Sequence, residues 1–276
     1  MTLRSRNYLV TAMLGLLGSV LVLYVILLIN LDLHNPALLG VLKGSEGHYF
    51  NVSWKLGVEQ LTIGIFSSGI AIVLAVSMAI VFLSTFRRVS SPELFFVFLF
   101  WASIAFETCK VVNMYLIQSG GSLQMLGLVS RFYYFGRLTG VLCMLSASLY
   151  LAGVKMQYQG ILLYLNIAIS VAVAYLLPID STVFRQGMTF LAAGDYSLDP
   201  LTIMLGLLSI LNLSKYVFTN KEKGNVLLVV SFVLLLLGHE LLYISYNWIT
   251  LGIAWLSLAF STVWLNRRFV RSYLWY

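Results

Sequence analysis

The chain has 276 residues, of which 60% are apolar and only 10% charged, and its mean hydropathy is +0.92. A soluble domain carries about 25% charged residues, so the composition excludes a folded soluble module and predicts one integral membrane domain over residues 1–276. A net charge of +7 would suggest a nucleic-acid partner in a soluble protein, but here the placement of the charges gives another account.

Eight apolar stretches follow one another, at about 8–29, 59–84, 92–117, 125–153, 159–177, 199–219, 225–246 and 248–266. In lipid each must be helical, because an unpaired backbone group there costs several kcal/mol. The expected fold is therefore an all-α, polytopic membrane bundle. Met1 to Arg6 and the apolar run Tyr8 to Ile29 resemble a signal peptide, but the run is long enough to span and no small-residue cleavage site follows, so it reads as a retained anchor. Asn35-Pro36 opens a short apolar piece, Ala37 to Leu42, expected at the outer interface. The run of aromatic and polar groups His48, Tyr49, Phe50, Asn51 and Trp54 reads as an interfacial belt, with a lid or partner surface as the alternative. On the second span, Gly64 with Ser68 and Ala71 with Ala75 form a stripe of small residues suited to helix packing. Ser91-Pro92-Glu93 supplies a cap, a first-turn proline and a first-turn acid for the third span. Asp199-Pro200 is expected to do the same for the sixth. Cys109 and Cys143 fall inside apolar runs and read as small buried hydrophobes. The last two spans are joined by only Ser245 to Trp248, which keeps a seven-span count in view.

The loop charges decide between the two counts. With the N-terminus in the cytoplasm, the inner segments hold Arg4, Arg6, Arg87, Arg88, Lys155, Lys215, Lys221, Lys223, Arg267, Arg268 and Arg271 against Glu93 and Glu222 alone. The outer segments hold Lys43, Lys55 and Arg185 against Asp32, Glu46, Glu59, Asp180, Asp195 and Asp199. The inside then carries +9, the outside −3 and the membrane interior +1. Every charged loop obeys the positive-inside rule. Seven spans would put the last three arginines outside, so eight are expected, with both termini in the cytoplasm and the chain in the cytoplasmic (inner) membrane. The basic balance is a topology signal, and no nucleic-acid partner is called for.

Six ionisable residues lie at membrane depth, where charge is costly and marks a functional site by default. They are Glu107 and Lys110 in the third span, Arg131 and Arg137 in the fourth, and His239 and Glu240 in the seventh. At about 1.5 Å per residue from each cytoplasmic end, Glu107, Arg137, His239 and Glu240 all stand roughly 21–24 Å up, in the outer half of the bilayer. Ser103, Glu107 and Lys110 share a stripe, Arg131, Tyr134 and Arg137 step along the fourth span, and His239, Tyr243 and Tyr246 share a stripe beside Glu240. Folding the hairpin of the third and fourth spans about Gly121 sets Glu107 near residue 135 and Lys110 near residue 132. The expected first pair is Glu107 with Arg137, with Glu240 as a second acid for Arg131 or Arg137. Glu107, Lys110, Arg131, Tyr134, Arg137, His239 and Glu240 are thus the candidate ligand-binding residues.

Two readings compete for this cluster. In one, the charges only hold helices together. In the other, they line a polar cavity between the third, fourth and seventh spans. Three cations against two acids and a histidine leave a surplus positive charge, which suits a small anion or a lipid phosphate. No lysine lies in the last two spans for a retinal Schiff base, and H-E-x-x-H, phosphate-loop and nucleophile-elbow motifs do not occur. No metal or other cofactor is implied, and no catalytic residue is assigned. In topology alone the chain resembles the multi-helix membrane sensor modules of bacteria. The expected role is a non-enzymatic sensor or subunit that signals to a protein partner on the cytoplasmic side. The alternative is a small carrier or channel subunit using the same charges as a substrate or proton path.

Overall fold

The computed structural model describes residues 3–35, 38, 58–86, 91–185, 189–192, 198–219, 225–245 and 247–274. Its helices are α1 (Leu3–Asn30), α2 (Val58–Phe86), α3 (Pro92–Ile104), α4 (Cys109–Gln118), α5 (Leu123–Leu151), α6 (Gln159–Leu176), α7 (Leu198–Thr219), α8 (Asn225–Ile244) and α9 (Trp248–Leu274). A 3-10 turn, Ala105–Thr108, joins α3 to α4 within one span. Counting that pair once, eight helical segments are long and apolar enough to cross a membrane, and their limits fall within a few residues of those read from the sequence. The protein is an all-α membrane bundle. The aromatic run at 48–54, residues 37 and 39–42 of the short apolar piece, and Tyr246 lie outside the described residues.

The spans are not equivalent. In the apolar window of the α3–α4 span 89% of residues are buried, against 11% in α1 and 17% in α7. So α3, α4 and α5 form the centre. Around them, α2 packs on α3, α1 packs on α2, α6 and α7 flank α5, and α8 pairs with α9. A helix that is apolar all round, such as α1, has one face for protein and the rest for lipid.

Local signals explain the ends. Ser91 accepts a hydrogen bond from the Leu94 backbone N–H at 3.3 Å, and Pro92 opens α3. The turn between α4 and α5 is tight because Gly120 adopts φ +72°, so the Gly121 N–H reaches the Leu116 carbonyl at 2.7 Å and the Gly120 N–H reaches that of Ile117 at 3.2 Å. This is a glycine-terminated helix end of the Schellman kind. At the same end of the bundle, the Gln118 amide donates to the Asn30 carbonyl and accepts from the Asp32 N–H, tying α1 to α4.

The segment between α6 and α7, expected as a loop, holds regular structure. Residues Ile179–Arg185 (β1) and Thr189–Ala192 (β2) pair as an antiparallel hairpin with an irregularity between Asp180 and Phe184. An isolated hairpin is marginal in water. This one is pinned to α5, where the Phe190 N–H donates to Ser130 and the Tyr134 hydroxyl donates to the Phe190 carbonyl, each at 3.0 Å. The Phe190 side chain is buried with Met114, Ile117 and Leu126. We call this the hairpin end of the bundle.

Two glycines on α5 let the central backbones approach. A Cβ at Gly140 would lie 2.5 Å from His239 Nε2 and 2.7 Å from Ser103 Oγ, and one at Gly136 would collide with Phe106. The stripe on α2 packs as its small residues predict: Gly64, Ser68, Ala71 and Ala75 are all buried. Gly140→Ala should therefore destabilise the protein by about 1–3 kcal/mol, whereas Gly127→Ala, with nothing within 4 Å of its new methyl, should be neutral. Thermal unfolding of the two variants in detergent checks this, and equal midpoints would disprove the close-approach argument.

Candidate functional site

The 3-10 turn sets the geometry of the third span. Glu107 lies in the turn and Lys110 in the first turn of α4, three residues on and on the same face, and their charged atoms meet at 2.5 Å with both side chains at most 1% exposed. The turn is steadied by the Ser68 hydroxyl, which donates to the Glu107 carbonyl at 2.8 Å, and by Thr108, whose hydroxyl donates to the Ala105 carbonyl. The expected pairing of Glu107 with Arg137 does not form. The levels were read correctly, since Lys110 lies 5.5 Å from the Tyr133 ring centre and Phe106 abuts Gly136, but Glu107 takes the nearer cation on its own span.

Lys110 also reaches the end of α8. Its Nζ lies 3.5 Å from the Leu242 carbonyl and 3.4 Å from Ser67 Oγ, while the Tyr133 hydroxyl donates to the Tyr243 carbonyl at 2.7 Å. Helix α8 ends among buried residues, with Leu242, Tyr243 and Ser245 all shielded. Its last carbonyls have no intrahelical partner, and a cation there also suits the helix dipole.

Arg137 organises the second half of the cluster. Its Nε and Nη2 donate to Glu240 Oε2 at 3.1 and 2.5 Å. Its Nη1 lies 2.6 Å from Asp199 Oδ1. The Thr202 hydroxyl donates to Glu240 Oε2 at 3.2 Å. His239 Nδ1 lies 3.1 Å from Glu240 Oε1; a carboxylate only accepts, so Nδ1 carries the proton in this bond. That leaves Nε2, which is buried with no hydrogen-bond partner. The imidazole packs between Phe100 and Tyr243, with ring centres 5.2 and 4.8 Å away.

The fold thus brings Glu107, Lys110, Arg137, His239 and Glu240 into one cluster. It places Tyr134 at the rim, holding the hairpin. It leaves Arg131 apart, half-buried on α5 over the Tyr175 ring. Asp199 was missed, because Asp199-Pro200 reads as a helix cap. In the structure α7 begins at Leu198, and Asp199 turns to the guanidinium, a charge-assisted contact stronger than a cap bond. The signal that could have found it is the i, i+3 pair Asp199 and Thr202 in the first turn of a span adjoining the cluster.

Asp199 also changes the charge balance. Lys110 and Arg137 face Glu107, Asp199 and Glu240, so with His239 neutral the cluster carries one net negative charge. The surplus cation inferred from the sequence is Arg131, outside it. Among the described residues no three His, Cys, Asp or Glu side chains converge as a metal site.

Comparison with known protein families, with curated proteins and with solved structures finds no match.

Lys110→Met should cost about 3–5 kcal/mol, the usual penalty for leaving one member of a buried ion pair alone. Adding Glu107→Leu should recover most of that loss. Unfolding free energies of the two single variants and the double variant form the test; strictly additive losses would mean the pair does not act as a unit.

Proposed function

We propose that the chain is a non-enzymatic membrane module, a sensor or subunit, whose outer end admits a small anion at Arg137. The observation that supports this reading is the division of one guanidinium between a fixed carboxylate and a replaceable one. Glu240 is 19% exposed and accepts from Arg137, Thr202 and His239. Asp199 is 32% exposed, while Arg137 itself is 1% exposed. The loop charges put the hairpin end, and with it Asp199, on the outside.

An arriving carboxylate or phosphate takes the place of Asp199 on Nη1. It cannot simply be added, because a further anion would raise the cluster from one to two net negative charges in a low-dielectric interior. Displacement leaves the net charge unchanged and returns Asp199 to water. Asp199 belongs to α7 and Glu240 to α8. The exchange therefore frees the first turn of α7 from α5 and keeps α8 attached. A ligand with different affinity for these two arrangements shifts their populations, and the change reaches a cytoplasmic partner through the far end of α7.

Removing the internal competitor should strengthen binding. Asp199→Asn is expected to bind acetate or inorganic phosphate about tenfold more tightly than the parent, a gain of about 1.4 kcal/mol, and Arg137→Gln is expected not to bind either ion. Calorimetric titration of the purified protein reads both. Identical titrations of parent, D199N and R137Q would sink the reading.

A second reading, a carrier or channel subunit with a proton path, draws on two buried groups. His239 Nε2 has no hydrogen-bond partner, and Glu107 is fully buried with Lys110 as its ion-pair partner. Protonatable groups thus run from half-exposed Asp199 inward to Glu107. Against a through-path stands the other half of the span, where Phe95, Phe96, Phe98, Phe100 and Trp101 are all buried. Proteoliposomes containing the protein should show no proton or anion flux above protein-free vesicles. A flux that His239→Gln abolishes would favour the carrier and overturn the sensor.

A further inference from the structure

Arg131 stands alone, half-buried on α5. Its Nε is buried without a hydrogen-bond partner, and among the described residues no acid pairs with it. Its guanidinium carbon lies 5.5 Å from the centre of the Tyr175 ring. Tyr175 is one residue from the end of α6, so the guanidinium rises along its stem toward the membrane surface.

Arg131 forms the polar rim of a cavity of about 260 Å³ between α5 and α6 that is otherwise walled by apolar and aromatic side chains. A cavity of about 420 Å³ between α1, α4 and α5 shares Phe132 with it. Another of about 290 Å³ shares Phe135 and continues to Leu9 of α1 and Leu163 of α6. Together they make a lateral cleft along α5 between α1 and α6. Leu16, Phe132, Val171 and Tyr175 are exposed along it. From Tyr175 to Leu163 the cleft runs about 18 Å, at about 1.5 Å per residue of α6.

We propose that this cleft seats one anionic phospholipid, with its phosphodiester on Arg131 and an acyl chain running past Phe132 and Phe135 toward Leu163. An unpaired guanidinium at membrane depth is costly, and it matches a phosphate with two parallel N–H donors. The apolar walls favour a lipid over a free ion. Among the described residues no carboxylate lines any of the three cavities to balance a cationic headgroup, and a net-negative lipid fits better than a zwitterionic one. The site is separate from Arg137 and does not rest on anion exchange there.

The test is native mass spectrometry of the whole chain, delipidated in detergent and titrated with phosphatidylglycerol or phosphatidylcholine. One phosphatidylglycerol per chain should bind, at least tenfold more tightly than phosphatidylcholine. Arg131→Gln should remove that preference, and Arg137→Gln should keep it. Val171→Trp fills the cleft from an exposed position without changing charge, and it should weaken both lipids. Equal binding of the two lipids by the parent protein, or parent-like binding by both R131Q and V171W, would overturn the proposal. So would displacement of phosphatidylglycerol by inorganic phosphate alone, since that would make the ion the ligand.

Discussion

A charge held inside a bilayer has to bring its partner with it, and in this protein that requirement decides how the central helices meet. Arg137 on α5 gathers Glu240 from α8 and Asp199 from α7. Lys110 on α4 gathers Glu107 from the turn before it and a carbonyl from the end of α8. Each cation therefore binds backbone or side chains from more than one helix. Breaking either contact leaves a buried ion unpaired, which is far more costly than never having had the pair. The helices are held in register by what they cannot leave exposed.

Close backbone approach makes these contacts possible. Gly136 and Gly140 remove the side chains that would keep α5 away from Phe106, Ser103 and His239. With α3, α5 and α8 drawn together, the 3-10 turn can present Glu107 and Lys110 toward α2 and the end of α8. The hairpin closes the same end of the bundle through Ser130, which accepts from Asn113 of α4 and from the Phe190 N–H while donating to the Leu126 carbonyl of its own helix, and through Tyr134, which donates to the Phe190 carbonyl. Asn166 does similar work between α6 and α5, donating to Ser146 at 2.8 Å. Packing and polar satisfaction are one problem here, because lipid offers no hydrogen bonds to groups left over.

Much of the bundle was legible in the residues. The third span begins at Pro92 behind the Ser91 cap, as that motif implies, and the small stripe on α2 lies buried against the 3-10 turn. The level of the ionisable residues was legible too, since helical rise converts sequence position into depth. Their pairing was not. Regular helical phase already sets Glu107 and Lys110 on one stripe, but the expected pairing ran across to the next span, whereas the fold closes it along the same span. Asp199 was hidden by a motif that reads equally well as a cap, and the hairpin by a stretch too short and irregular to announce strands. The surplus positive charge was counted correctly for the whole interior but assigned to the wrong place, because the fold adds Asp199 to the cluster and leaves Arg131 outside it.

The residues alone determined that this is a helical membrane protein with eight spans, and about where each begins and ends. Both follow from local hydropathy and from the rule that backbone in lipid must bond to itself, so neither needs knowledge of neighbours. Only the tertiary structure decided which side chains face one another. A turn of about 100° per residue about each helix axis, or one tightened turn within a span, carries a side chain from one neighbour to another at little local cost. That choice is settled by contacts between residues far apart in the chain, such as Arg137 with Glu240 and Asp199, and no window of local sequence contains them.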